Sequence, residues 1–269
     1  MIFGKDIDEL LYKVSKILLK AKTMSPRGLK TKEIINAHLV LENPRLAVVT
    51  NPNRKFSKKY LGAEMLWYMN GDRNIENIKD YASMWSRIAD SNGEVNSNYG
   101  NIVFKEAPIG LDGFKHYDSQ FDYVIETLKS DKDSRQAIIN FNQPKHKYKD
   151  NMDMVCTISA QYFIRDDKLD SLVTMRSNDF AWGYCNDQPF FSYLQMRLVD
   201  ELKDDYPELK IGKAYHNVGS LHAYERHFGM LESIIESYES NNIISEELPY
   251  NGQKNELEFK QILNNWKKS

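Results

Sequence analysis

Apolar residues return every three or four positions at Ile7, Leu10, Leu11, Val14, Ile17 and Leu18. That is the spacing of one helix face, so the chain opens with an amphipathic helix. The periodicity stops at "TMSPRGLKTKE", where Pro26 and Gly28 mark a loop carrying Arg27. "IINAHLVLENPRLAVVT" is β-prone on both sides of the turn "ENPR". Helical spacing returns in "SKKYLGAEMLWYMNG", which places Leu61, Met65, Leu66 and Met69 inward and ends at Gly71. A further helix is predicted over "NIENIKDYASMW", ahead of a polar loop, "SRIADSNGEVNSNYG", that closes on Tyr99 and Gly100.

After a helix around "QFDYVIETLKS" the period changes to two. "RQAIINF" reads as a strand, and "MVCTISAQYFI", the turn "RDDK" and "LDSLVTMR" read as a hairpin. "QPFFSYLQMRLVDELKDD" is a long helix, and "GSLHAYERHFGMLESIIESY" joins a histidine-bearing strand or loop to a helix. No linker or repeat interrupts this order. The pattern predicts one α/β domain around a sheet, with functional residues at strand ends.

Composition narrows the classes. The 269 residues are 41% hydrophobic and 28% charged, with a net charge of −2, as in an ordinary globular protein with a substantial core. No long basic run is present, which argues against a broad nucleic-acid footprint. The N-terminus is too charged for a signal peptide and no stretch approaches a membrane span, so a cytoplasmic location is expected. Cys156 and Cys185 read as thiols, not as a disulfide framework. No CxxC, HExxH or Asp-rich calcium loop occurs, so no metal site is expected.

The candidate chemistry has bland and sharp readings side by side. Cys156 lies in a β-prone run, where a buried structural thiol is the default. An arginine brought close by the hairpin, such as Arg176, would instead populate its nucleophilic thiolate. Cys185 has no such partner and reads as structural. Glu64 interrupts the apolar run "AEMLWYM", either on a solvent face or as a partly buried general acid/base. Arg135 and Arg176 flank strands and suit a phosphate, with structural salt bridges as the competing account. His222 and Tyr224 alternate on one strand face and suit a sugar hydroxyl. Asp187 either caps the helix beginning near Gln188 or reads a heterocycle.

Taken together, in this order, "AEMLWYMNGDRNIENIKDYASMW", "DSRQA", "VCTISAQYF", "MRSND" and "SLHAYERHF" resemble the thymidylate synthase superfamily over residues 6 to 235. The resemblance implies the thymidylate synthase fold, an α/β (α+β) single domain over 1–269. Its mixed sheet would form a homodimer interface with flanking helices, and the part beyond about 240 is divergent. It implies Cys156 as nucleophile, Glu64 as acid/base, Tyr99 and Trp85 lining the site, and Asp179 on the pterin of a folate. Arg27, Arg176, Ser177 and a partner subunit's Arg135 would hold the nucleotide phosphate, and His222 with Tyr224 the sugar 3′-hydroxyl. The co-substrate implied is 5,10-methylenetetrahydrofolate.

Three departures sharpen this. Thr157 follows Cys156 where the family carries His, Gln136 stands where a second Arg is usual, and the short apolar C-terminal cap is absent. Asp187 in "YCNDQPF" replaces the Asn that reads the base. "VCT", "MRSND", "EVNSNYG" and "NVGSLHAYERHF" are nearest the deoxycytidylate hydroxymethylase branch, so the expected substrate is dCMP and the product 5-hydroxymethyl-dCMP. Thymidylate synthase, dUMP hydroxymethylase and CMP hydroxymethylase activities are the alternatives. A nonenzymatic nucleotide- or RNA-binding relative is the alternative of another class.

Overall fold

The computed structural model describes the whole chain, the side chain of Lys254 apart. In chain order its strands and α-helices are β1 (Ile2–Gly4), α1 (Ile7–Leu18), β2 (Lys22–Met24), β3 (Thr31–Leu41), α2 (Lys58–Asn70), α3 (Met84–Ile88), α4 (Tyr99–Phe104), α5 (Gln120–Ser130), β4 (Ile138–Asn140), β5 (Thr157–Arg165), β6 (Lys168–Asp179), α6 (Cys185–Glu201), β7 (Lys210–Tyr224), α7 (Phe228–Ser240) and α8 (Glu256–Lys268). They group into two compact units. The first is Met1–Phe56, Lys168–Val199 and Lys210–Leu248; the second is Ser57–Asp167, Asp200–Leu209 and Pro249–Ser269.

The first unit is built on a mixed sheet. β7 runs antiparallel to β3 and parallel to β6, while β1 and β2 pair with opposite ends of β3. Leu169, Ser171, Val173 and Met175 of β6 are buried, as a period of two requires. The phase then slips. Arg176 is exposed, Ser177 is half-buried, and Asn178 is buried instead of facing outward. β7 slips at the same level, where Gly219 follows buried Val218; a Cβ on Gly219 would stand 2.8 Å from the Arg176 carbonyl oxygen. A side chain there would push the strands apart.

α1 forms as its spacing predicts, with Asp6 as N-cap accepting from the Glu9 amide. Ile7, Leu10, Leu11, Val14 and Leu18 are buried, whereas Ile17 is 43% exposed. Asp8 is buried among this apolar face. Its carboxylate accepts from the Thr50 and Asn51 amides and from the hydroxyls of Thr50 and Ser245. The "IINAHLVLENPRLAVVT" segment yields one long strand; beyond "ENPR", Val48 makes only an isolated bridge to Glu246.

In the second unit α2 begins at its N-cap Ser57 and ends at left-handed Gly71, as expected. A cap of this kind is worth about 1 kcal/mol. The expected single inward stripe is a correction: Gly62, Ala63, Glu64, Met65, Trp67 and Tyr68 are buried, while Leu66 and Met69 are half-buried. The reason is α8, which packs along α2 from the divergent C-terminal part. At Gly62 an added Cβ would lie 2.5 Å from the Leu263 carbonyl oxygen, so the two backbones approach through a position without a side chain. The helix expected over "NIENIKDYASMW" is also corrected. It is a single 3₁₀ turn, Ile75–Asn77, then α3. Asn74 and Asp72 spend their carbonyl and carboxylate oxygens on the Glu76 and Asn74 amides, local bonds that compete with an α-helix. β4 and β5 pair antiparallel through Ile138↔Gln161.

Candidate active site

Cys156 is half-buried immediately before β5, not inside the strand, and its Sγ lies 3.9 Å from the Met154 carbonyl oxygen. The neighbouring Thr157 side chain is fully buried, and its hydroxyl meets no hydrogen-bond partner among the described residues.

Glu64 is only 5% exposed, which removes the solvent-face reading. The Tyr60 hydroxyl, one helical turn earlier, donates to Glu64 Oε1 at 2.5 Å. Trp85 Nε1–H in turn donates to the Tyr60 oxygen at 3.2 Å, which leaves the phenolic proton directed at the carboxylate. Trp85 also packs edge-on to Trp67, 4.8 Å between ring centroids. Trp85 and Glu64 are thus joined through Tyr60, a residue the sequence reading did not single out although its i, i+4 spacing to Glu64 was visible. Tyr99, on α4, is buried between Tyr68, which it stacks on, and Phe141, which it meets edge-on. Arg135 stands apart, exposed just before β4 on the rim of an open polar cleft of about 750 Å³.

In the first unit several expected residues do converge. β6 and β7 are parallel and end together, with Ser177 opposite Ser220 and Asp179 opposite His222. Ser177, Asp179, His222 and Tyr224 are all half-buried, on the face opposite Asn178 and Leu221. His222 meets Tyr224 edge-on, 5.2 Å between centroids, and its Nδ1 lies 3.3 Å from the Ser220 carbonyl oxygen. Arg176 is exposed beside this cluster. Arg27 is exposed on the turn Pro26–Gly28, with left-handed φ of 52°. Asp179 Oδ1 accepts from the Ala181 and Trp182 amides, so Asp179 caps the helical turn Phe180–Tyr184 that runs straight into α6.

That cap removes the capping reading of Asp187. α6 begins at Cys185, continuous with the preceding turn, and Asp187 sits inside it instead of heading it. Asp187 Oδ2 accepts from Asn178 Nδ2 at 2.8 Å, and Oδ1 has no protein donor among the described residues. Incomplete hydration is the largest influence on this carboxyl and the nearby Asp179 charge adds to it; the Asn178 bond offsets part. The result is a pKa pushed up to about 7.

Two further groups escaped the sequence reading. Arg54 is 1% exposed, its guanidinium 4.3 Å from the Trp182 ring centroid, with Nε and Nη1 unpartnered among the described residues. Trp182 Nε1–H donates to His227 Nε2 at 2.6 Å and Arg226 Nε donates to the same nitrogen, so the His227 proton is on Nδ1. Nothing local in "NPNRKF" announces a buried cation. Cys185 is fully buried beside Arg54, and loss of hydration outweighs the cation, pushing its thiol up to about 11. Such burial is the setting of a structural thiol.

The profile of the family described as thymidylate synthase matches residues 9–261. The chain belongs to the thymidylate synthase family. Over 212 residues it is 34% identical to the deoxycytidylate 5-hydroxymethyltransferase of Enterobacteria phage T4, covering 76% of this chain and 80% of that protein. The phage T6 protein of the same name matches equally. The deoxyuridylate hydroxymethyltransferase of Bacillus phage SP01 is 25% identical over 219 residues, 80% of this chain and 56% of its own length. Like its family, the chain is a one-carbon transferase of the kind that modifies C5 of a pyrimidine nucleotide. No described helix is long and apolar enough to cross a membrane.

Proposed function

We propose that the chain converts dCMP to 5-hydroxymethyl-dCMP, with 5,10-methylenetetrahydrofolate as one-carbon donor and water as the source of the hydroxyl. The observation that carries the choice of base is Asp187, whose carboxyl has one oxygen held by Asn178 and the other without a protein donor. Cytosine offers an N4 amino donor to such an acceptor, where uracil offers the lone pairs of O4.

The Cys156 thiolate adds to C6, which turns C5 into an enamine-like carbon nucleophile. Glu64, with the Tyr60 proton directed at it, accepts the C5 hydrogen as a proton. Tyr99 lines the site. Arg27, Arg176, Ser177 and a partner subunit's Arg135 bind the phosphate, and His222 with Tyr224 binds the 3′-hydroxyl. The folate supplies a carbon at the oxidation level of formaldehyde. The residues present fit such a molecule, which is aromatic and carries carboxylates: Arg54 has buried, unpartnered donors and lies over Trp182. These two would hold it together with Trp85 and Asp179. The balance is a C5–H bond replaced by C5–CH₂OH, with the folate released at the tetrahydro level.

The assembly we propose is a homodimer on the open face of the sheet, where Ile35 is 68% exposed. Mixing inactive Arg135→Ala and Cys156→Ala proteins is expected to restore part of the activity through shared sites. Lack of rescue despite subunit exchange would refute sharing.

The deciding experiment incubates the protein with dCMP, dUMP or CMP and methylenetetrahydrofolate, with mass analysis of the nucleotide. Hydroxymethyl-dCMP without dihydrofolate is expected. A methylated product with matching dihydrofolate would make it a synthase, preferred turnover of dUMP or CMP would reassign the base or sugar, and no turnover with any of them would refute the activity.

A further inference from the structure

We infer that Asn178 is the positioning residue of Asp187: its amide commits one carboxylate oxygen and so presents the other to the amino group of the base. This rests on the reading of Asp187 as the base-recognising group. Asn178 is 3% exposed, and the phase slip in β6 is what turns it inward. Its Nδ2 donates to Asp187 Oδ2 at 2.8 Å and stands 2.9 Å from Met175 Sδ. Gly183 lies behind the pair, where even an added Cβ would remain 3.5 Å from both Nδ2 and Oδ2. The amide is therefore packed from β6 and from the turn ahead of α6, while Asn178 Oδ1 accepts nothing among the described residues.

The other titratable groups on these elements are few. Around the pair they are Arg176, exposed, and Asp179 on β6, Tyr184 in the turn ahead of α6, Cys185 at the start of α6, and on β7 His222, opposite Asp179, and His216, edge-on to the Tyr184 ring. Cys185 titrates near 11 and His216 near 3, both through loss of hydration. Asp179 is the one whose charge reaches Asp187, and it disfavours the ionised form. The Asn178 amide is the group that favours it. Without that donor, Asp187 keeps its proton to higher pH and is a weaker acceptor for the amino group of cytosine.

The test is the pH dependence of dCMP binding by titration calorimetry, with no folate present. In the wild type, affinity is expected to rise with pH as Asp187 ionises near 7. Asn178→Leu keeps the branching at Cγ and removes the donor. It is expected to move that rise up by about one to two pH units, with roughly tenfold weaker binding near neutral pH that recovers in alkali. Asn178→Thr, which keeps a donor, is expected to restore most of the shift and serves alone should the leucine variant fail to fold. Weaker binding at every pH with the rise in its original place would overturn the inference and leave a structural asparagine. In an Asp187→Asn background the leucine substitution is expected to move nothing; a shift persisting there would also overturn it. Failure of the underlying reading looks different: Asp187→Asn alone would then leave the preference for dCMP over dUMP unchanged.

Discussion

Asp8, in the first turn of α1, and Asp187, near the start of α6, are aspartates of the same unit whose carboxyls are both raised above the ordinary range by lost hydration. Their surroundings differ. Asp8 is wrapped by four donors, from the Thr50 and Asn51 amides and the hydroxyls of Thr50 and Ser245, so both oxygens are spent tying three chain segments together. Asp187 has one donor, Asn178, and an oxygen left over. A saturated buried carboxylate is a staple. An undersatisfied one stores an interaction that a ligand can complete, and it costs stability until one does.

The largest effect expected from this contrast is on base choice. Asp187→Asn should lower kcat/KM for dCMP and raise it for dUMP, changing their ratio by on the order of 10³–10⁴-fold, because an amide can turn to meet uracil's O4 and N3–H. Asp8→Asn should leave that ratio where it was. Steady-state kinetics on both nucleotides checks the pair, and an unchanged ratio in the Asp187 variant would end the argument for cytosine.

Asp8 should matter for stability instead. Asp8→Ala strands the buried Asn51 amide, the buried Ser245 hydroxyl and the part-buried Thr50 amide, and we expect a loss of about 3 kcal/mol, with Tm lower by roughly 6–12 °C. A loss below about 0.5 kcal/mol, the range of surface substitutions, would show that the knot is dispensable.

The pH dependence of stability sharpens the contrast further. The folded-state pKa of Asp187, about 7, lies above its unfolded value, so its contribution is fully present below the unfolded pKa and fades as pH rises through 7. Because the side chain keeps some accessible surface, the cost near pH 8 is put at about 1–2 kcal/mol and not at the full shift. Asp187→Asn should therefore be the more stable protein near pH 8 and match the wild type near pH 4. Denaturant titrations at the two pH values test this, and equal stabilities at both would contradict it.

The smallest effect concerns the thiols. Cys185, buried with its pKa near 11, should resist alkylation in the native state, and Cys185→Ala should cost about 1 kcal/mol while most activity remains. Cys156→Ala should abolish C5 hydrogen exchange. Mass mapping of iodoacetamide adducts distinguishes them, and preferential labelling of Cys185 would invert the assignment.

What the sequence determined by itself lies in short-range rules. Helical spacing in α1, the cap residues Ser57 and Gly71 around α2, and the alternation of His222 with Tyr224 are all set within a turn or two of chain. Local geometry alone enforces them. The ordered run of motifs around Cys156, Arg176 and His222 also sufficed to indicate the family. Tertiary structure decided the rest, because partners distant in sequence set the environment. Glu64 is buried where Tyr60 bonds to it and Trp85 bonds in turn to Tyr60, and no pattern in "AEMLWYM" contains Trp85. Arg54 is a buried cation because Trp182 lies against it, 128 positions away. Asn178 faces inward because β6 slips phase beside Gly219 of β7, where strict alternation from Met175 would turn it outward. Asp187 does not cap its helix because Asp179 has already capped the turn that runs into it, and its carboxylate meets Asn178 of β6 instead.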